Sequence, residues 1–367
     1  MGARVDLVAG ARPNFMKVAA VHRALSAASG ALEIRIVHTG QHYDAEMNDV
    51  FFEQLGIPPP GVHLEVGSGP QGAQTAWILE RYEAAILGAR PRATVVFGDV
   101  NSTLASALAA VKLGVDVVHV EAGLRSFDRT MPEEINRLVT DALSSLLLVS
   151  EPSGVANLAR EGIRGSSVRL VGNVMIDTLR REAEAAARLE VGRGMGLSEY
   201  GLVTLHRPAN VDEPAVLERL IRLLVELSTV LPLVFPMHPR TRESVRRAGL
   251  EGLLFSGAST FKVVEPLPYR ENLSLMSSAR LVLTDSGGMQ EETTVLGVPC
   301  ITLRDTTERP ITVERGTSRL VGNDVEKIRA AFRDALSGSW PRGETIPLWD
   351  GAAAPRVASA FLEWLEA

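Results

Sequence analysis

Short apolar runs alternate with longer amphipathic stretches along the first half of the chain. The apolar runs, interpreted as buried strands, lie at residues 5–9, 34–39, 94–98, 115–120, 146–150 and 168–171. Apolar positions recur at helical spacing between several of these runs, as at 15–29, 71–87 and 102–112. Apolar strands separated by amphipathic helices are typical of a parallel sheet covered by helices on both faces.

The same alternation begins again in the second half. A helix rich in Ala, Glu and Arg is predicted at 178–189, a glycine-rich break at 192–196, and a final helix at 352–366. Further strands are predicted at 200–205, 231–237, 261–264, 281–284 and 298–303. A chain of 367 residues also exceeds what one hydrophobic core usually serves. We therefore predict an α/β protein with two doubly wound, Rossmann-type domains, residues 1–175 (with the helix at 352–367 packing back onto them) and residues 176–351.

Charge and cysteine content narrow the classes of partner. The 38 basic and 44 acidic residues give a formal net charge of −6, which argues against a general affinity for nucleic acid. No apolar stretch reaches the roughly 20 residues that span a bilayer, and the amino terminus is predicted to enter a strand rather than a signal peptide. The single cysteine, Cys300, lies in an apolar run and is expected to be a buried packing thiol. These features predict a cytoplasmic protein that binds neither nucleic acid nor membrane.

Small residues follow the strand predicted at 281–284, in the order Asp285-Ser286-Gly287-Gly288. At a strand-to-helix turn, backbone N–H groups and the helix dipole attract a phosphate. Ser-Gly-Gly alone is equally typical of a capped turn without a ligand. Two acids one turn further, Glu291 and Glu292, favour a nucleotide diphosphate, because a carboxylate can accept hydrogen bonds from ribose hydroxyls.

Two cations, Arg12 and Lys17, follow the first predicted strand in a similar way. Cations at the beginning of a helix suit a diphosphate group. In isolation, the simpler interpretation of both is that they are solvated charges.

Acidic residues also lie next to predicted strand ends. Asp99 and Glu121 directly follow strands, whereas Glu133 and Glu134 begin a helix. Acids in a first helical turn are favourable without any function. Asp99 and Glu121 lack so simple an explanation, because buried carboxylates are usually paired or functional. Several carboxylates around one ligand suggest proton transfer at carbon or oxygen.

Two histidines, His206 and His238, occupy equivalent strand ends in the second predicted domain. A lone histidine is more often structural than catalytic, but two in equivalent places favour a role at the ligand. Their spacing is not that of a metal-binding motif. We predict no catalytic metal and no other cofactor.

Together these segments resemble the non-hydrolysing UDP-N-acetylglucosamine 2-epimerase family over nearly the whole chain. The most specific motifs are 285–292 and Arg304-Asp305-Thr306-Thr307-Glu308-Arg309-Pro310. Further matches are 10–17, 39–42, 98–99, 119–125, 132–137, 171–173, 206–207, 238–239 and 349–351. The resemblance implies a glycosyltransferase-B-like (GT-B-like) fold, an active site between the two Rossmann-type domains, UDP binding by the second domain, and homodimers.

The family's roles can be transferred to the matching positions of this chain. The resemblance implies the catalytic residues Lys17, Asp99, Glu121, Glu133 and His206. It implies the substrate-binding residues Arg12, Arg137, His238, Ser286, Gly287, Gly288, Glu292, Arg304 and Arg309. Glu292 would bind the ribose, and the last two arginines would help the diphosphate or order the neighbouring loop. The implied partners are a UDP-N-acetylhexosamine and UDP.

The implied reaction inverts carbon 2 of the sugar. As UDP leaves carbon 1, positive charge develops there and the proton on carbon 2 becomes removable by a carboxylate. The intermediate, 2-acetamidoglucal, then adds UDP back and is protonated on the opposite face. Asp99, Glu121 and Glu133 would divide the proton transfers, with His206 assisting at the sugar.

The chain departs from the family pattern at two places. Many bacterial members have Arg-Glu after the Gln-His motif and Arg-Glu-Asn after the His-Arg motif, which are associated with allosteric activation by the substrate. This chain has Tyr43-Asp44 and Pro208-Ala209-Asn210 there. We therefore expect hyperbolic kinetics.

Four alternatives remain open. An epimerase of a modified UDP-sugar, such as a 2,3-diacetamido uronic acid, would use the same motifs because the reacting carbons are the same. A hydrolysing relative would release N-acetylmannosamine and UDP. A retaining GT-B glycosyltransferase would share the UDP site without exchanging solvent hydrogen into carbon 2. A non-catalytic UDP-sugar sensor is disfavoured by the number of acids.

Overall fold

The computed structural model of the protein describes residues 3–41, 52–255 and 260–367, without the side chains of Arg12 and Phe255. The motif positions His42, Tyr43 and Asp44 therefore lie outside the described residues. Among the helices within these ranges, none is long and apolar enough to cross a membrane.

Contacts between Cα atoms divide the chain into two compact units. Unit 1 comprises Met1–Thr178 together with Pro347–Ala367, and unit 2 comprises Leu179–Ile346. The predicted domain boundaries, after residues 175 and 351, lie close to these divisions.

The described part of unit 1 contains a seven-stranded, parallel sheet. Its strands are β1 Arg4–Ala9, β2 Glu33–His38, β3 Val62–His63, β4 Ala93–Phe97, β5 Asp116–Ala122, β6 Leu146–Val149 and β7 Val168–Leu170. They are arranged in the order β3-β2-β1-β4-β5-β6-β7. The helices are α1 Arg12–Ala28, α2 Gln71–Gly88, α3 Asn101–Lys112, α4 Pro132–Leu143, α5 Pro152–Arg160 and α6 Val174–Ala187, the last of which continues into unit 2.

Unit 2 repeats this plan with six parallel strands in its described residues. The strands are β8 Gly201–Thr204, β9 Leu233–Pro236, β10 Phe261–Val264, β11 Leu281–Thr284, β12 Cys300–Thr302 and β13 Ser318–Leu320, in the order β10-β9-β8-β11-β12-β13. The helices are α7 Val191–Gly194, α8 Pro208–Val211, α9 Pro214–Ser228, α10 Pro239–Arg247, α11 Glu251–Phe255, α12 Tyr269–Ser278, α13 Gly287–Leu296, α14 Ile311–Glu314 and α15 Val325–Ser337. Apolar clusters on the two faces of this sheet form its core.

The chain returns to unit 1 with a last helix, α16 Ala353–Glu366, which packs against α1. The carboxylate of Asp177 accepts hydrogen bonds from the first backbone N–H groups of α16, at 3.0 and 2.6 Å. The Trp349 indole N–H donates to the Ser150 carbonyl oxygen at 3.1 Å. Gly172 lies so close to Leu348 that a Cβ atom would be 2.1 Å from the Leu348 carbonyl oxygen. Only glycine allows this approach.

These two sheets confirm the predicted α/β class with two Rossmann-type, doubly wound sheets, because each has the strand order of that fold. Cys300 is fully buried, and burial raises the pKa of its thiol, which confirms the predicted packing role. Two details of the predicted secondary structure were wrong. The glycine-rich break begins with the one-turn helix α7, and the strand predicted at 115–120 continues to Ala122. Glu121 therefore lies within a strand and not after it.

Candidate active site

Each sheet presents candidate residues at its carboxyl edge, next to the point where the strand order reverses. In unit 1 this point lies between β1 and β4, and in unit 2 it lies between β8 and β11. Doubly wound sheets bind ligands at such points, because the loops leave the two strands in opposite directions. Asp99 follows β4, His206 follows β8 and Asp285 follows β11, so all three lie at this edge of their sheets.

In unit 1, the Lys17 ammonium group forms an ion pair with the carboxylate of Glu121. Both side chains are less than a tenth exposed, so each charge needs the other. Gly98 provides the space for this pair. A Cβ atom at Gly98 would lie 3.2 Å from Lys17 Nζ and 3.4 Å from Glu121 Oε2, and the φ angle of Gly98 is +65°. The structure thus brings together two of the predicted catalytic residues.

The backbone of Glu121 is strained. Its φ angle is +77°, and the register of β5 against β6 shifts between Val120 and Ala122. Left-handed backbone at a non-glycine residue costs roughly 1–3 kcal/mol and is found preferentially at functional sites. The irregularity turns one side chain out of the strand's normal alternation.

Asp99 is held by α4. Its carboxylate forms an ion pair with the guanidinium group of Arg137, which is almost wholly buried. The Asn136 side-chain amide donates to the Asp99 carbonyl oxygen at 2.9 Å. The Asp99 side chain is nevertheless 26% exposed, so a ligand can reach it. Arg137, predicted to bind substrate, here orients a predicted catalytic acid.

The two acids that begin α4 differ in their surroundings. Glu134 is buried and accepts hydrogen bonds from the backbone N–H groups of Ser126 and Phe127, at 2.9 and 3.0 Å. Burial alone would raise the pKa of Glu134, but these bonds and the Arg137 contact outweigh it and lower the pKa. Glu133, the predicted catalytic acid, is half-buried in the first turn of α4.

Arg12 is the first residue of α1, which begins at the carboxyl end of β1. This places its backbone at the same edge of the sheet as Asp99. Its side chain lies outside what the structure describes, so its predicted contact with UDP stays a prediction.

A buried charged group beneath this edge was missed by the sequence reasoning. The ring of His119, which is fully buried, lies with Nδ1 2.6 Å from Asp141 Oδ1 and Nε2 2.8 Å from the Gly98 carbonyl oxygen. Arg125 Nη2 lies 2.7 Å from Asp141 Oδ2. Burial alone would raise the pKa of Asp141, but His119 and Arg125 outweigh it and lower the pKa. Asp141 follows Glu134 and Arg137 at helical spacing, a signal that could have revealed it.

In unit 2, the buried Asp285 orients His206. Asp285 Oδ1 lies 2.9 Å from His206 Nδ1, and its carboxylate accepts hydrogen bonds from the backbone N–H groups of His206 and Arg207. Burial would raise the pKa of Asp285, but the contacts with His206 and with these N–H groups outweigh it and lower the pKa. The His206 side chain is 38% exposed, and its ring lies 5.8 Å from that of His238. The sequence reasoning included Asp285 in the glycine-rich motif but missed this partnership.

Helix α13 begins at Gly287, directly after Ser286, and the Ser286 hydroxyl does not cap it. The first N–H groups of any helix lack partners within the helix, so they are available to an anion. A Cβ atom at Gly287 would lie 2.6 Å from Arg309 Nη1, whereas a Cβ atom at Gly288 would meet nothing within 4 Å. Packing therefore explains the glycine at 287 but not the one at 288.

Glu292 lies one turn further along α13 and is 5% exposed. The Tyr269 hydroxyl donates to Glu292 Oε1 at 2.8 Å. Burial raises the pKa of Glu292 to about 7. The group can thus lose its proton near neutral pH if a ligand supplies hydrogen-bond donors.

The predicted diphosphate arginines form buried ion pairs. Arg304 Nη2 lies 2.7 Å from Glu308 Oε2, and Arg309 Nε lies 2.6 Å from Glu291 Oε1. Arg309 also pairs with Glu308. These pairs tie the loop after β12 to α13, which favours loop ordering among the two roles expected for these arginines.

The structure also bears on metal binding. Within residues 3–41, 52–255 and 260–367, no group of three or more His, Cys, Asp or Glu side chains is arranged to hold a metal ion.

Comparison with known proteins assigns the family. The family model described as UDP-N-acetylglucosamine 2-epimerase matches residues 23–362. The chain is 41% identical over 361 residues to the UDP-N-acetylglucosamine 2-epimerase of Methanocaldococcus jannaschii, with 96% of this chain and 97% of that protein covered. It is 42% identical over 361 residues to the UDP-2,3-diacetamido-2,3-dideoxy-D-glucuronate 2-epimerase of Pseudomonas aeruginosa, with 97% and 98% covered.

Solved structures agree. The crystal structure of the Methanocaldococcus jannaschii UDP-GlcNAc 2-epimerase in complex with UDP-GlcNAc and UDP matches with a TM-score of 0.92 at 40% identity, and 98% of this chain and 99% of that one are covered. This likeness confirms the predicted GT-B-like fold class. With the family match over most of its length, the chain belongs to the UDP-N-acetylglucosamine 2-epimerase family.

Proposed function

We propose that the protein interconverts UDP-N-acetylglucosamine and UDP-N-acetylmannosamine in the cytoplasm, by eliminating UDP to 2-acetamidoglucal and adding it back, and so supplies a precursor of cell-surface polysaccharide. The observation that supports this most directly is the pair of fixed acids at the carboxyl edge of unit 1. Glu121 is held by Lys17, and Asp99 is held by Arg137. Inversion at carbon requires a proton to leave one face and return on the other, which one acid alone serves poorly.

The nucleotide is assigned to unit 2. The beginning of α13, with Ser286 and Gly288, suits the diphosphate because partnerless N–H groups and a helix dipole meet there. Glu292, buried beneath the Tyr269 hydroxyl, suits the ribose hydroxyls. His238 is assigned to UDP binding with them. Arg12 would assist from unit 1.

The remaining groups are assigned to the sugar. Departure of UDP makes the proton on carbon 2 acidic, so stabilising the diphosphate and removing that proton belong to one step. Asp99, Glu121 and Glu133 divide the proton transfers. His206, oriented through Nδ1 by Asp285, assists at the sugar through Nε2.

Proton NMR in heavy water tests this proposal. Purified protein with UDP-N-acetylglucosamine, without metal or nicotinamide, is expected to yield UDP-N-acetylmannosamine with deuterium at carbon 2. Asp99→Asn and Glu121→Gln should each lower kcat at least about 10²-fold, whereas Glu80→Gln, at an exposed site on α2, should not change it. Near-normal turnover by both active-site variants would refute the assignment of these acids.

A second substrate has support of its own, because the Pseudomonas aeruginosa relative is named for UDP-2,3-diacetamido-2,3-dideoxy-D-glucuronate. The same assay with that UDP-sugar distinguishes the two. Faster exchange on it than on UDP-N-acetylglucosamine would make the uronate the substrate. Release of free N-acetylmannosamine would instead indicate hydrolysis.

The substitutions Tyr43-Asp44 and Pro208-Ala209 in place of the family's regulatory pairs support hyperbolic kinetics. Initial rates are expected to follow a simple saturation curve in UDP-N-acetylglucosamine. A sigmoidal curve would show that substrate activation operates without those pairs.

A homodimer is part of the proposal. Large apolar side chains are exposed on three neighbouring helices of unit 1: Trp77 on α2, Val111 on α3, and Ile135 and Val139 on one face of α4. Covering them with a second copy would remove apolar surface from water. Light scattering should give the mass of a dimer for the wild type and of a monomer for Ile135→Asp/Val139→Asp. A monomeric wild type would contradict the proposal.

A further inference from the structure

Asp141 and His119 contact the chain on both sides of Glu121. We propose that they are positioning residues, which fix the left-handed backbone of Glu121 and thereby aim its carboxylate. This inference rests on the proposed function, in which Glu121 transfers a proton.

The contacts of Asp141 surround Glu121 along the chain. Asp141 Oδ1 lies 2.6 Å from the Nδ1 of His119, two residues before Glu121. Asp141 Oδ2 accepts the backbone N–H of Gly123, two residues after it, at 3.0 Å. A single carboxylate on α4 therefore holds both ends of the five-residue stretch in which β5 loses its regular register.

His119 extends the same hold to the neighbouring strand. Its Nε2 lies 2.8 Å from the carbonyl oxygen of Gly98, and the Gly98 N–H donates to the Val120 carbonyl oxygen at 3.1 Å. Gly98 is the residue that provides the space for the Lys17–Glu121 pair. Asp141 and His119 thus fix both the backbone of Glu121 and the position of Gly98, next to which the Glu121 side chain lies.

The hydrogen bonds of His119 indicate where its ring nitrogens need hydrogens. A carbonyl oxygen only accepts, so Nε2 carries a hydrogen and donates it to Gly98. Nδ1 faces a carboxylate oxygen, so this contact also needs a hydrogen between the two atoms. Both His119 and Asp141 are wholly buried, and water cannot replace either bond.

Asp141→Ala removes both oxygens of the carboxylate, so the Gly123 N–H and the ring of His119 lose their partner. An asparagine would not suffice, because its oxygen can accept from Gly123 and Arg125 while its amide donates to Nδ1 of a neutral His119 that keeps its hydrogen on Nε2. The matched control is Glu161→Gln, which removes the other carboxylate that Arg125 contacts while leaving Asp141 in place.

A double-mutant cycle on the intact protein tests the proposal. Asp141→Ala is expected to lower kcat about 10²-fold, the effect of displacing a reacting group by about 1 Å, with KM changed less than about threefold. In the Glu121→Gln background the same substitution should have an effect below about threefold, because its target is already gone. Glu161→Gln should behave as the wild type. An equal loss of kcat in both backgrounds would overturn the positioning role.

A crystal structure of Asp141→Ala gives a readout that does not depend on turnover. We expect the φ angle of Glu121 to leave the left-handed region, and an unchanged φ would overturn the proposal. His119→Gln serves if Asp141→Ala does not fold, with the same expectations. A wild type without exchange at carbon 2 would refute the proposed function itself. That result is distinct from an equal loss of kcat in both backgrounds or an unchanged φ angle of Glu121, which would refute only the positioning role.

Discussion

At the scale of single residues, the carboxyl edges of the two sheets are built from charges that occur in pairs, with at least one member of each pair buried. Lys17 with Glu121 and Arg137 with Asp99 are examples in unit 1, and Arg309 with Glu291 is one in unit 2. A buried pair contributes little net stability, but removing one partner leaves the other charge uncompensated. These sites therefore tolerate loss of a pair better than loss of one member.

Lys17→Met should lower the free energy of unfolding by about 3 kcal/mol, because Glu121 loses its cation in a site that is less than a tenth exposed. Adding Glu121→Gln to this variant should restore much of the loss, since no unpaired charge then remains. Urea-induced unfolding at pH 7 measures both. A double variant less stable than Lys17→Met alone would contradict this account of the pair.

Glu292 makes stability depend on pH. Its pKa in the folded protein is about 7, above the ordinary 4.5, because it is buried. The folded state therefore holds a proton that the unfolded state has lost, and this contribution is complete below pH 4.5 and disappears as the pH rises through 7. Relative to Glu292→Gln, the wild type should lose roughly 3 kcal/mol of unfolding free energy across that window.

The companion variant Tyr269→Phe removes the hydroxyl that donates to the Glu292 carboxylate and favours its charged form. The pH range over which the contribution of Glu292 to stability is lost should consequently move upward. Unfolding titrations between pH 4 and 9 reveal both effects. Parallel curves for the wild type and Glu292→Gln would show that the pKa of Glu292 is the same in the folded and the unfolded protein.

Sequence reasoning could find such residues but not their partners. Lys17 and Glu121 are 104 positions apart, and His206 and Asp285 are 79 positions apart. Their meeting depends on strand order, which the local pattern of apolar and polar residues does not determine. The left-handed backbone of Glu121 has no sequence signal either, because glycine is the residue that normally marks it.

At the scale of elements, apolar runs located strands best where both faces of the strand are buried. The strand predicted at 281–284 is β11 with the same bounds, and all its side chains are buried. The two- and three-residue strands β3 and β13 were missed, since they are half-exposed and too short to give a pattern. The turn into α13 was located correctly, but Gly287 and Gly288 are glycines for different reasons.

Gly288→Ala and Gly287→Ala distinguish a glycine needed for ligand binding from one needed for packing. Gly288→Ala meets open space, so stability should be unchanged or rise by less than about 1 kcal/mol. The added methyl group would nevertheless obstruct an anion at the beginning of α13 and raise the Kd for UDP about tenfold. Gly287→Ala should instead lower stability, because it displaces Arg309 from its buried ion pairs. Calorimetric titration with UDP and thermal unfolding measure the two properties, and unaltered UDP binding by Gly288→Ala would argue against a phosphate at this turn.

At the scale of the whole molecule, the two units differ in how the chain builds them. Unit 1 is discontinuous, since Pro347–Ala367 returns to it after unit 2 is complete. The returning segment contributes Trp349, bonded to Ser150, and helix α16, whose beginning is capped by Asp177. Unit 2 is one continuous stretch with apolar clusters on both faces of its sheet. A continuous chain with its own core can fold alone, whereas a fragment without its last element cannot bury its core.

Unit 2 expressed alone, Leu179–Ile346, should therefore fold cooperatively and, if the proposed assignment of the nucleotide is right, bind UDP with a Kd no more than about tenfold above that of the whole protein. Residues 1–178 alone should not fold, because α1 loses the helix that packs against it. Circular dichroism measures folding, and calorimetric titration measures binding, with the Gly288→Ala fragment as the control for site-specific binding. A folded unit 2 that does not bind UDP would indicate that unit 1 binds the nucleotide. The assignment of Ser286, Gly288 and Glu292 would then be wrong even if the protein epimerises UDP-sugars, so this experiment separates where the nucleotide binds from what the protein catalyses.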